Sequence, residues 1–269
     1  MNIVDRPSPN FDVRKAAIDL VVLHYTGMKD AETALKRLTD PAPKAGDYPG
    51  PWQAPDIDPQ TALSRVSAHY VVGEDGTVFR IVAEKDRAWH AGLSQWEGRG
   101  DVNSRAIGIE IANGGHDYGL APYPDAQIAA VIELVGDILK RNRLTPDRVV
   151  GHSDIAPARK DDPGEHFPWA RLADAGASIW PDVEPVAKDR VLLKHGDRGA
   201  RVHDLHACLA ELGYDAPEDT DAASAVFNDA TQSILRAFQR RFEPQRIDGQ
   251  LWASTWAAID ALLELREEG

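Results

Sequence analysis

The chain has 269 residues, 43% hydrophobic and 27% charged, a composition that suits a soluble globular protein of one large domain or two ordinary ones. A formal net charge of −13 argues against nucleic acid as a partner, since that binding rests on Lys and Arg neutralising phosphates. No apolar run reaches the roughly 18 residues of a membrane span, and Cys208, the single cysteine, permits no intrachain disulfide.

The first residues, MNIVDRPSPNFDVRK, show neither a signal peptide nor a lipidation cysteine. That points to the cytoplasm, or to the periplasm if an export signal has been removed. Ile18 to Tyr25 is a β-branched apolar run and predicts a buried strand that delivers His24 at its end. Asp30 is placed to cap a helix running to about Arg37. Six prolines between Pro41 and Pro59 then exclude regular structure, which leaves a long loop. Such a loop is either a solvated insertion or a flap beside a cleft, with Trp52 or Tyr48 touching ligand.

SAHYVVGEDGTVFRIV predicts two strands around a turn at Glu74–Gly76, with Asp-Gly supplying the positive φ angles of a tight hairpin. Ala106 to Asn113 alternates and predicts a strand with Glu110 in its middle. Ile128, Val131, Ile132, Val135, Ile138 and Leu139 fall on one face of a helix over Pro124 to Arg141. Arg148 to Gly151 is a short strand that delivers His152. Strands interleaved with helices predict an α/β domain with a mixed central sheet flanked by helices.

Beyond SIWPDVEPVAKDR the pattern changes. Three amphipathic stripes follow: Val202, Leu205, Leu209 and Leu212; Ile234, Leu235, Phe238 and Phe242; Trp256, Ile259, Leu262 and Leu263. They predict a small all-α three-helix domain, in which Cys208 is a buried small hydrophobe. The expected division is a catalytic domain over residues 1–180, a linker over 181–188, whose Pro181–Pro185 stretch leaves few local constraints between domains, and a helical domain over 189–269 that either binds ligand of its own or braces the catalytic domain.

Two imidazoles and a carboxylate, His24, His152 and Asp162, form the ligand set of a catalytic zinc with one open position. Spacing alone does not establish convergence, and no HExxH helix fixes two ligands on one face. Taken singly, each has a plain reading: His24 and His152 as structural strand-end residues, Asp162 as the start of a helix over Pro163 to Leu172, and Lys160 as a surface charge. Glu110 is harder to set aside. A carboxylate inside a buried strand is tolerated near a cation or where it serves as a base. His69 and His90 are further candidates.

LHYTG, SAHYVV, AWHAG, IGIEIAN and the H-x9-D within HSDIAPARKDDPGEHFPW, taken in order, resemble the zinc-dependent N-acetylmuramoyl-L-alanine amidases of the AmpD/AmiD type. These share a fold with peptidoglycan recognition proteins and some phage amidases, and the resemblance spans about Ile18 to Trp180. LKHGDRGARVHDLHACLAELGY, AFQRRF and DGQLWASTWAAI resemble a divergent peptidoglycan-binding module. The resemblance implies Zn2+ on His24, His152 and Asp162, Glu110 as catalytic carboxylate and Lys160 as catalytic cation. It also implies a substrate-binding surface from Tyr25, Trp89, His90, Asn103 and Arg159. The expected partners are peptidoglycan fragments or muropeptides, and the protein is expected to be a monomer. Relatives often carry a basic residue two positions before the equivalent of Asn103, where it can meet an acidic group of the stem peptide; here that position is Asp101. The rival reading is a recognition protein that uses the same cleft without turnover.

Overall fold

The computed structural model describes residues 3–267. Strand β1 (Ile3–Asp5), strand β2 (Phe11–Val13) and strand β3 (Leu20–Tyr25) lead into helix α1 (Ala31–Thr39). The hairpin of β4 (Tyr70–Val72) and β5 (Val78–Arg80) follows, then β6 (Asp86–Ala88), the short helix α2 (Val102–Arg105) and β7 (Ala106–Ile111). The long helix α3 (Asp125–Asn142), β8 (Val149–Gly151), α4 (His152–Ile155) and α5 (Trp169–Asp174) complete the first part. The second part consists of β9 (Val191–Leu193), α6 (Ala200–Glu211), α7 (Asp229–Phe242), β10 (Leu251–Trp252) and α8 (Ala253–Glu267).

Six strands form one mixed sheet in the order β1-β5-β4-β7-β3-β8. Strand β3 runs parallel to both β7 and β8, β4 runs parallel to β7, and the β4–β5 hairpin is antiparallel. The hairpin turns at Gly76, whose φ of 83° is the left-handed conformation that glycine adopts freely. Asp30 caps α1, accepting a bond from the Thr33 amide at 2.8 Å.

The two faces of β3 serve different cores. Val21 and Leu23 join Ile107, Ile109 and Ile111 against the apolar stripe Ile128, Val131, Leu134, Val135 and Ile138 of α3. Leu20, Val22, Ala106 and Val150 point the other way. Their cluster is continuous, through Ala91, Trp96 and Tyr214, with Leu205, Leu209, Phe238 and Ile259 of the C-terminal helices. A side-chain period of two thus divides one strand between both cores.

Several details differ from the sequence expectation. The C-terminal part adds a two-stranded antiparallel ribbon, β9 with β10, to its helices. Helix α5 starts at Trp169, not at Pro163, so Asp162 caps no helix there. Tyr48 is buried and its hydroxyl donates to Asp40 and the Lys36 carbonyl, so it is not a ligand contact, whereas Trp52 does line the cleft. The expected looseness between the two parts is also absent. Arg241 and Asp154, both buried, form an ion pair across the junction at 2.8 Å, and Arg266 of α8 reaches Glu97 at 2.9 Å. At Gly213 the backbone, with φ of 107°, approaches so closely that a Cβ would lie 2.6 Å from the Trp96 ring. These contacts join residues far apart in sequence, which local patterning does not encode.

A shared core makes a specific thermodynamic statement. Unfolding of the whole chain, followed by calorimetry, is expected to be a single cooperative transition. Phe238→Ala, at a fully buried position, should lower the stability of the entire transition by about 3–5 kcal/mol. Two separated transitions, with only the later or earlier one moved by the substitution, would show the parts to be independent.

Candidate metal centre and cleft

The strand order brings the predicted residues together. In the β3–β7 pairing His24 lies directly opposite Glu110. In the β3–β8 pairing Leu23 lies opposite Gly151, which sets the next residue, His152, level with His24. The carboxyl ends of three adjacent strands therefore carry Glu110, His24 and His152 side by side, the usual location of a site in such a sheet. Asp162 arrives from the loop after α4, held there because its carbonyl accepts from the Ser153 amide at 2.9 Å.

His24 Nδ1, His152 Nδ1 and one oxygen of Asp162 form a nearly equilateral triangle with edges of 2.9, 3.0 and 3.0 Å. All three residues are buried. Protons cannot satisfy such a triangle: each Nδ1 carries at most one hydrogen, so the edge between the nitrogens and both edges to the carboxylate cannot all be hydrogen bonds. Three lone-pair donors aimed at one point fit a bound cation, and among the described residues this is the grouping of three that can hold a metal ion. The outer nitrogens are fixed as well. His152 Nε2 lies 3.1 Å from the Ala91 carbonyl, which sets the proton on Nε2 and leaves the Nδ1 lone pair for the cation. His24 Nε2 lies 3.0 Å from His90 Nδ1.

The electrostatics follow from burial. Burial alone would raise the Asp162 carboxyl, but the imidazoles of His152 and His24 hold it well below the usual carboxylate range. Burial pushes His24 down to about 4, with the neighbouring His152 acting in the same direction and Asp162 opposing. Glu110 is pushed up to about 8 by burial and by the Asp162 charge, against the pull of Lys160, and its Oε2 has no hydrogen-bond partner among the described residues. An unpaired carboxyl with a raised pKa in a cleft is a candidate proton acceptor.

These groups line a cleft of about 390 Å³. Tyr25, Trp89, His90, Arg159 and Lys160 all line it. Tyr25 is steadied by His116, 3.1 Å from its hydroxyl, and the Arg65 guanidinium stacks over Trp89 at 5.0 Å. Arg159 donates to the Ala91 and Leu93 carbonyls at 2.9 and 2.7 Å, and so braces the wall that it also lines. The His90 ring packs on Gly108, where a Cβ would lie 2.4 Å from the imidazole. Asn103 is placed differently. It does not line the cleft; its buried carboxamide oxygen accepts from the His90 and Ala91 amides at 2.9 and 2.8 Å, fixing the loop that carries His90.

Asp101 is bound to Arg87 at 2.7 Å and does not line the cleft. A cation that sequence reasoning missed does line it: Arg37 of α1, buried, with Nη2 donating to the Ser64 carbonyl at 2.5 Å and Nη1 unpartnered among the described residues. Nothing in an ordinary helical Arg signals this, because the feature that turns it inward is the distant 64–66 segment.

Known proteins resemble this chain over nearly its whole length. A family model described as N-acetylmuramoyl-L-alanine amidase matches residues 14–165, and a peptidoglycan binding domain model matches residues 198–259. N-acetylmuramoyl-L-alanine amidase AmiD of Escherichia coli strain K12 is 34% identical over 97% of this chain and 90% of its own length. Its solved complex with anhydro-N-acetylmuramic acid-L-Ala-D-gamma-Glu-L-Lys superposes with a TM-score of 0.71, covering 96% of this chain and 94% of that one at 33% identity. AMPDH3 of Pseudomonas aeruginosa, solved with anhydromuramic pentapeptide, gives a TM-score of 0.68 at 32% identity over 93% of this chain and 92% of that one. The 1,6-anhydro-N-acetylmuramyl-L-alanine amidase AmpD of Haemophilus influenzae is 36% identical over 61% of this chain and 86% of its own length. No helix among the described residues is long and apolar enough to cross a membrane.

His69, behind the cleft, gives a pH prediction. Burial and then the adjacent Arg14 push its pKa down to about 3, from an ordinary value of 6.5. Its Nδ1 accepts from the Gly108 amide at 3.0 Å, so the ring is held neutral. Between pH 6.5 and 3 the unfolded chain takes up a proton that the folded one refuses, so stability falls as pH falls, by about 1.4 kcal/mol per unit for one such group. Urea unfolding of metal-free protein should show lower stability at pH 5 than at pH 7.5. The difference should shrink in His69→Gln; equal pH dependence in both proteins would refute the assignment.

Proposed function

The chain belongs to the N-acetylmuramoyl-L-alanine amidase family, and from that premise we propose that its cleft is a zinc site hydrolysing the amide between the lactyl group of N-acetylmuramic acid and L-alanine. The observation that carries the reading is the buried triangle of His24, His152 and Asp162, a donor set of two nitrogens and one oxygen that suits Zn2+ and lines the cleft. Bound there, zinc supplies a Lewis acid that polarises the amide carbonyl and lowers the pKa of water.

The residues around it have distinct work. Glu110, level with His24 on the next strand, takes a proton from the attacking water and passes it to the departing amine of L-alanine. The Lys160 ammonium, on the cleft wall, stabilises the negative charge growing on the carbonyl oxygen, a contribution of about 3–4 kcal/mol for donors of this kind. Tyr25, Trp89, His90 and Arg159 shape the surface that receives the sugar and the first stem residues, while Asn103 acts through the His90 loop.

AmiD and AMPDH3 have been solved with anhydromuramyl peptides, which supports 1,6-anhydromuropeptides as substrates here. Asp101 is turned to Arg87, so a stem-peptide carboxylate would meet its cation among the basic residues that line the cleft, Arg159 and Lys160. Residues 1–180 hold the catalytic part and 189–269 a peptidoglycan-binding-like module, with 181–188 between them.

Chelation should abolish release of free stem peptide from a muropeptide, and added zinc should restore it; full activity in metal-free protein would refute the zinc reading. Glu110→Gln keeps the size and polarity of the side chain but removes the base. It should retain zinc while losing about 100-fold or more in turnover. Chromatography of the products distinguishes the alternatives: free stem peptide with intact sugar marks the amidase, and retention of unchanged substrate by wild-type protein marks a recognition protein.

A further inference from the structure

Helix α7 presents two consecutive arginines to the loop that delivers two of the three metal ligands. Arg241, 4% exposed, donates from Nη1 to Asp154 Oδ2 at 2.8 Å and from Nη2 to the Val149 carbonyl at 2.9 Å. Its guanidinium lies over the Trp169 ring at 4.3 Å. The same Asp154 Oδ2 accepts from the Gly151 amide at 2.7 Å, and Oδ1 accepts from the Tyr214 hydroxyl at 3.0 Å. Gly151 and Asp154 bracket His152. The preceding residue, Arg240, pairs with Asp161 at 2.7 Å and approaches Glu165 at 3.6 Å, and Asp161 adjoins Asp162.

A helix of the C-terminal module therefore grips both arms of the 152–162 segment, one beside each ligand. Apolar contact would have joined the two parts without charge. A desolvated ion pair with hydrogen bonds on both partners adds direction, because it satisfies its donors and acceptors in one geometry only. The hydrogen bonds of Asp154 to Gly151, Arg241 and Tyr214 leave the turn into α4, and hence the His152 ring, little rotational freedom.

We propose that Arg241, with Tyr214 and Arg240, positions His152 and Asp162 for metal binding, so that the module is part of the metal centre's support and not a separable appendage. The proposal rests on the reading of His24, His152 and Asp162 as the metal site. Its residues are positioning residues, since none is placed to touch substrate or metal.

The test uses full-length protein and Zn2+ itself, competed against a chromophoric chelator, with the melting temperature of the metal-free protein measured in parallel. Arg241→Met alone would strand the Asp154 charge, so it is combined with Asp154→Asn, which removes both charges and keeps a side chain over Trp169. The double variant should melt close to wild type when metal-free but bind zinc about 10- to 100-fold more weakly, the usual penalty for losing an outer partner of a metal ligand. Arg240→Gln should weaken zinc less, in the same direction. Arg246→Gln breaks an ion pair within the module and away from the 152–162 segment, with Asp189 at 2.5 Å, and should leave zinc affinity unchanged.

Wild-type zinc affinity in the folded double variant would overturn the proposal. If the double variant does not fold, wild-type zinc affinity in Arg240→Gln overturns it. His152→Ala separates the two claims: unchanged zinc binding in that protein would refute the metal-site reading itself, whatever the brace variants do. The cobalt(II) derivative adds a spectroscopic signature, since a displaced His152 should alter its visible absorption in the double variant and not in Arg246→Gln.

Discussion

The parallel register of β3 between β7 and β8 is the constraint on which the site depends. It places His24 opposite Glu110 and sets His152 one residue beyond the Gly151 that pairs with Leu23. A slip of one residue would turn His24 and Glu110 toward α3, into the cluster of Ile107, Ile109 and Val131. Burial of Val21 and Leu23 on one face and of Leu20 and Val22 on the other makes any slip expensive, because each face would exchange a packed set for a misplaced one. The same apolar alternation that folds the sheet aims the reactive groups.

Such a site gathers ionisable groups where water is scarce. Three of its histidines, His24, His69 and His90, are driven toward their neutral forms by burial, and Glu110 toward its protonated form, while Asp162 alone is held ionised by its neighbours. A neutral imidazole is the form that offers a lone pair to a cation, so burial prepares the ligands before metal arrives. The close approach of His90 to His24 needs the bare Gly108 on β7 and the Asn103 carboxamide that ties down the His90 loop. The layers are thus nested: a glycine and an amide place His90, and His90 meets the outer nitrogen of His24.

Much of this was legible from local pattern. The strand ending in His24–Tyr25, the Asp-Gly hairpin, the Glu110 strand and the α3 stripe were each readable from periodicity, because their residues report directly on one buried face. The convergence of His24, His152 and Asp162 was not readable from spacing; it needed the strand order, and the family resemblance supplied the expectation that geometry alone left open. Asn103 shows the limit of carrying a role by position. It lies on the substrate side in sequence, yet its carboxamide faces the back of the cleft wall. Arg37 shows the converse, an unremarkable helical residue drawn into the cleft by a backbone carbonyl at Ser64. The β9–β10 ribbon escaped because its strands are short and distant in sequence.

The junction between the two parts changes what the C-terminal module can do for the cleft. A domain on a flexible connector raises local substrate concentration by an amount set by connector length. Residues 181–188 do not have that freedom here, because Arg241–Asp154, Arg266–Glu97 and the Trp96–Tyr214 ring contact at 5.2 Å fix the module against the catalytic part. Anything held on the module is therefore held at one distance and angle from His24. A second groove follows the seam, lined by Leu93, Ser94 and Arg159 on one side and by Ser233 and Ile234 of α7 on the other. Arg159 lines both this groove and the metal cleft, so the two surfaces adjoin. Rigid attachment trades the reach of a tether for geometry.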